Sequence, residues 1–105
     1  MKVVQREIMK IIPGKMPETM ELLGKHMAIA MRLAPPNTIV RNYLPFFADE
    51  AVHTLVFEVE WESMATMEKF FEKAMADTEM QALMPKWEEV EESHKNELYT
   101  LTPLP

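Results

Sequence analysis

The chain has 105 residues, 48% hydrophobic and 27% charged, the balance of one folded domain spanning 1–105 and the wrong one for disorder. It contains no cysteine, which excludes disulfides, thiol nucleophiles and thiolate metal sites. Its net charge of −6 is uneven, with seven Lys/Arg and five Asp/Glu in residues 1–57 but four and twelve in 58–105, so an acidic half without a basic stripe argues against nucleic acid and anionic membrane as partners.

The opening MKVVQREIMKII lacks the apolar core of a signal peptide, and no apolar run reaches the roughly 18 residues of a membrane span, which predicts a cytoplasmic protein. Lys2 to Ile12, rich in Val and Ile, predicts a first strand that stops at the turn dipeptide Pro13-Gly14. A helix then opens near Pro17, whose missing N–H costs nothing in a first turn, and ends at Ala34-Pro35-Pro36-Asn37. Its residues Met16, Met20, Leu23, Met27, Ala30, Met31 and Ala34 share one apolar arc, widened by Leu22, Ile29 and Leu33.

Thr38 to Phe47 predicts a second strand, and Ala48–Ala51 a short hairpin connection. In the third strand, His53 to Trp61, one face is His53, Leu55, Phe57, Val59 and Trp61, plainly core, and the other is Thr54, Val56, Glu58 and Glu60. Ser63 is the expected N-cap of a second helix, and Asp77 caps a third, which Pro85 should kink or restart. A last strand is expected over His94 to Thr102.

The order β-α-β-β-α-β is the ferredoxin-like α+β plan, a four-stranded antiparallel sheet with helices on one face. The other face stays open, and its candidate residues (Ile39, Arg41, Tyr43 and Phe47, or Val40, Asn42, Leu44 and Phe46, beside Val56, Glu58 and Glu60) are too apolar for water and too charged for a simple core. The economical cover is a second copy, sheet against sheet, forming a homodimer with a cavity between the two faces.

Three stretches carry a family resemblance: "IIPGKMPETMELL", "FEVEWESMATMEKFFEKAMADTEM" and "NELYTLTPLP". Through them the chain resembles the dimeric α/β-barrel superfamily, and within it the NIPSNAP-like and antibiotic-biosynthesis-monooxygenase-like groups. Where NIPSNAP-like chains usually show Arg-x-Tyr before Pro-Gly-Lys, this one holds Glu7 and Met9. The resemblance implies the fold, a dimer, and cofactor-independent oxidation or proton transfer as the chemistry to look for.

Among candidate residues, Glu58 and Glu60 share a strand face, where two carboxylates under a protein lid raise each other's pKa until one serves as a general base; the competing outcome is a structural pair with Arg41 or Arg6. His26, beside the apolar arc of the first helix, is the other candidate base, against the commoner fate of a satisfied, half-buried imidazole. Arg41, Tyr43, Glu60, Trp61 and Tyr99 are expected to line a ligand cavity at the open face, with methionines as a soft wall. The single Glu-x-x-His at Glu91 and His94 falls short of a metal set, no Gly-rich phosphate loop exists, and no cofactor is expected. Two readings follow: a small-molecule-binding homodimer with possible cofactor-free oxygenase or proton-transfer activity, or a non-catalytic ligand-binding or protein-interaction module.

Overall fold

The computed structural model describes residues 1–45 and 53–102. Their elements run β1 (Val3–Ile11), α1 (Met16–Leu33), β2 (Ile39–Tyr43), β3 (Thr54–Trp61), α2 (Met64–Ala76), α3 (Thr78–Val90) and β4 (Glu91–Thr100). The strands form one antiparallel sheet in the order β2-β3-β1-β4, the ferredoxin-like arrangement expected. Val3, Met9 and Ile11 of β1 and Leu55, Phe57, Val59 and Trp61 of β3 pack against buried side chains of all the helices, so the helices cover one face only.

Each helix starts where local chemistry prescribes. Gly14 takes a φ of 87°, open to glycine without strain, and turns the chain after β1. Thr19 closes the first turn of α1 by donating to the Lys15 carbonyl at 2.8 Å. Ser63 Oγ accepts from the Thr66 N–H at 3.1 Å, and an Asp77 carboxylate oxygen accepts from the Met80 N–H at 3.0 Å; both caps were expected. The other oxygen of Asp77 accepts from Arg32 at 2.7 Å, which ties the last turn of α1 to the α2–α3 junction.

The structure corrects several details. The buried stripe of α1 is Thr19, Leu22, Leu23, Ile29 and Ala30, while Met20 and Met31 are exposed, because the helix meets α3 and the sheet along a line rotated from the densest apolar arc. Pro85 does not restart the third helix: α3 runs unbroken through it. Met80, Leu83, Trp87 and Val90 are buried on both sides of the proline, and at about 1.5–3 kcal/mol for each such side chain their packing outweighs one lost hydrogen bond. β3 begins at Thr54, since His53 sits at a φ of 58°. β4 begins at Glu91, not His94, and ends at Thr100, because α3 passes directly into it. β2 runs only over Ile39–Tyr43, shorter than the Thr38–Phe47 expected: Leu44 and Pro45, whose ring removes a ladder donor, already lie outside it. Phe47 and the hairpin expected over Ala48–Ala51 lie outside the described residues.

Candidate functional site

A cavity of about 350 Å³ lies between the sheet and the helices, on the covered face. Small side chains make the room: Ala30 on α1, Ala34 just past its end and Ala74 on α2 stand where larger ones would fill the layer. Val40, Phe57, Val59 and Trp61 form its floor, and the exposed Met31, Phe71, Met75 and Met84 surround it on the helix side. The wall is almost wholly apolar, and its polar groups include Gln5, Glu7 and His26. A well-formed apolar hollow with a few placed polar groups is the usual form of a small-molecule site.

A second cavity of about 260 Å³ adjoins it and shares Glu7, His26, Phe57 and Met84 as wall. Gln5, Glu7 and His26 are each held by a partner. Gln5 Oε1 accepts from the Trp61 indole at 3.0 Å. His26 Nδ1 accepts from the Trp87 indole at 3.3 Å, and the ring packs edge-on against Phe57 and Trp87. Burial holds the His26 pKa below the usual histidine value, with the Glu7 carboxylate opposing it, so His26 is neutral at pH 7. A neutral imidazole whose Nδ1 accepts carries its proton on Nε2. It therefore offers a donor to the cavity, and accepting a proton there would require giving up the Trp87 bond.

Glu7 carries the acidic end. Its carboxylate lies 3.5 Å from His94 Nε2, and His94 Nδ1 lies 3.3 Å from Glu91. In an even strand, residues three apart face opposite ways. Here the β1–β4 register shifts between Lys10 and Ile11, pairing Lys10 with Ser93 but Ile11 with Glu91, and the extra residue returns Glu91 and His94 to one side. The Glu7 hydrogen bond is the main reason that the His94 pKa rises to about 9, with Glu91 adding to it. The Glu91-x-x-His94 pair is thus a strand feature, not the helical metal motif its spacing suggests. Among the described residues no group of His, Asp and Glu suits a metal ion.

The open face is organised around Glu58. Arg6 donates to it at 2.7 Å, Tyr43 Oη at 3.1 Å and Arg41 at 3.4 Å, and Arg41 also reaches Glu60 at 3.8 Å. These neighbours leave Glu58 only 7% exposed. The Arg6 hydrogen bond, helped by Tyr43, holds its carboxyl below the usual range against the opposing effect of burial. The upward shift expected of Glu58 is therefore reversed: it is an anion at neutral pH and a poor general base, and the pairing with Arg6 and Arg41 is the outcome found. Tyr99 donates to Glu97 at 2.7 Å and its ring lies under the Arg6 guanidinium at 5.6 Å. An open hollow of about 330 Å³ lies here, against Val4, Arg6, Glu58, Glu60, Tyr99 and Leu101.

The structure thus divides the expected site residues. Trp61 and His26 line the helix-side cavity, while Arg41, Tyr43, Glu58, Glu60 and Tyr99 gather on the opposite face of the sheet. Gln5, Glu7 and His94 were not foreseen as site residues. The available signal was Gln5 and Glu7 in alternation with Val3, Met9 and Ile11, two polar groups on an otherwise core-facing strand surface.

The fold is a ferredoxin-like α+β domain of the kind seen in NIPSNAP family proteins and in a cofactor-independent oxygenase, as the resemblance anticipated. A NIPSNAP family protein from Agrobacterium tumefaciens superposes with a TM-score of 0.85 at 21% identity, over 99% of this chain and 89% of that one. An uncharacterized NIPSNAP domain protein from Burkholderia xenovorans gives 0.79 at 18% identity, over 97% and 94%. SnoaB, a cofactor-independent oxygenase from Streptomyces nogalater, gives 0.69 at 13% identity, over 98% and 95%. No protein-family model matches the chain, and no curated protein matches it in sequence. No helix among the described residues is long and apolar enough to cross a membrane.

Proposed function

We propose that this protein binds a small, largely apolar or aromatic molecule, and that the molecule sits between the sheet and the helices instead of at the open face. The observation that carries this reading is the apolar cavity of about 350 Å³ with Gln5, Glu7 and His26 at its wall. The open face then has a different task. Exposed Ile39, Tyr43, Tyr99 and Leu101 surround the Glu58 ion pairs, a surface suited to a second copy of the chain in a sheet-to-sheet homodimer. Arg41, Tyr43, Glu60 and Tyr99 would there be contact groups around the hollow.

Occupancy is tested with 2-methylnaphthalene, read by quenching of Trp61 and Trp87 fluorescence. Val40→Phe, which puts a larger side chain on the cavity floor, should weaken binding about tenfold or more without changing the circular dichroism. Equal binding by the two proteins would remove the cavity from the account. The dimer is tested by sedimentation at micromolar concentration, where a monomer would overturn it.

A second reading, cofactor-independent oxygenation or proton transfer in the same cavity, is favoured by the polar wall of Glu7 and neutral His26 and by the fold shared with SnoaB. Oxygen consumption with candidate aromatic substrates, lost in Glu7→Gln, separates it from simple binding.

A further inference from the structure

We propose that Glu7 is the ligand-recognising group of this cavity, held in place by His94 and Glu91, and that it selects a molecule bearing a neutral O–H or N–H donor over an anion. The inference rests on the small-molecule reading above and deepens it.

Three observations meet at this point. Glu7 lies on the wall of both cavities, the only carboxylate among the described residues to do so. It projects from β1, which lies between β3 and β4, and is fixed by the sheet on both sides, opposite Phe57 and Asn96. Its carboxylate is anchored from one side by His94 Nε2 at 3.5 Å, which is itself anchored through Nδ1 by Glu91 at 3.3 Å. A carboxylate has about four acceptor positions, so one contact to His94 leaves acceptor capacity for a ligand.

The charges decide what that ligand is. One imidazolium stands between two carboxylates, and Glu88 of α3 lines the same second cavity, while His26 of α1, the remaining titratable group there, is neutral. The local balance is negative. An anionic ligand is repelled; a neutral donor finds an ionised acceptor in an apolar hollow, where such a bond is strongest. Glu7 touches the ligand, whereas His94 and Glu91 are positioning residues that fix the direction of its carboxylate.

The test compares three probes of one aromatic body: 2-naphthylmethanol, 2-methylnaphthalene and 2-naphthoate, titrated against the intact protein by tryptophan quenching at pH 7. The alcohol should bind about tenfold tighter than the hydrocarbon, the measure of one hydrogen bond to a charged group, and 2-naphthoate should bind weakest. Glu7→Leu should erase the preference for the alcohol, and Glu7→Gln, which keeps shape and one acceptor, should reduce it severalfold and relieve the discrimination against 2-naphthoate. The alcohol preference should fall as pH rises through about 9, where His94 loses its proton, and should be flat over that range in His94→Gln. A preference for 2-naphthoate, or an alcohol preference unchanged in both Glu7 variants, would overturn the assignment while leaving the cavity standing. Binding of none of the probes would overturn the cavity itself.

Discussion

Single residues in this sheet do opposite things on its two faces. Glu58 is an anion locked by Arg6, Arg41 and Tyr43. Glu58→Gln should destabilise the fold at neutral pH by about 1–3 kcal/mol, the value of hydrogen bonds to a charged group, discounted because both arginines are partly exposed. The folded-state pKa of Glu58 is depressed, so its contribution is present above the unfolded value of 4.5 and disappears as pH falls through the lower folded value. Denaturant melts of the two proteins should therefore converge in acid. His94 behaves in reverse. Its folded pKa, about 9, lies above the ordinary 6.5, so its stabilisation is complete below pH 6.5 and lost as pH rises through about 9. In an NMR titration the His94 ring should show that midpoint and the His26 ring one below 6.5, and a common midpoint would contradict the geometry.

At the scale of elements, the helix caps and the strand alternation were open to reading because they are local. Ser63 and Asp77 mark helix starts by residue type alone, and the period-two pattern of Leu55, Phe57, Val59 and Trp61 named the buried face of β3. What could not be read was a property of assembled layers. Ala30 and Ala34 at the end of α1 and Ala74 on α2 come together only in the folded layers, where they leave a hollow. Glu91 and His94 likewise look unrelated until the β1–β4 bulge turns both to one side. Two substitutions test the element energetics. Asp77→Ala should cost about 1 kcal/mol through the lost cap, with little more from exposed Arg32, seen as a lower urea midpoint. Pro85→Ala should stabilise the fold by up to about 3 kcal/mol, seen as a higher urea midpoint, because it restores a donor in mid-helix without disturbing the buried stripe.

For the whole molecule, the ferredoxin-like plan leaves one sheet face helix-covered and the other bare; a hollow of about 330 Å³ lies on the open face, where a cavity was expected, and another of about 350 Å³ lies on the helix side, where none was. The topology followed from the order of elements, and the open face from the topology. Which face holds a guest depends on side-chain volumes summed over the helices, a quantity that strand periodicity does not contain. The two faces are nevertheless linked through β1 and β3, since Arg6 and Glu58 on one side alternate with Glu7 and Phe57 on the other. Leu55→Ala, at a site 1% exposed, should cost about 2–5 kcal/mol and lower the thermal midpoint of the entire unit in one transition.

The thin shared wall of the two hollows has a consequence of its own. Glu7, Phe57 and His26 are held by the sheet, by hydrogen bonds or by ring packing, but Met84 is an exposed, unbranched side chain with freely turning bonds. Met84→Ala should widen the passage between the two hollows, seen as a gain in anthracene binding relative to 2-methylnaphthalene over the native protein. The upper size limit of what this molecule accepts would then reside in a single movable partition.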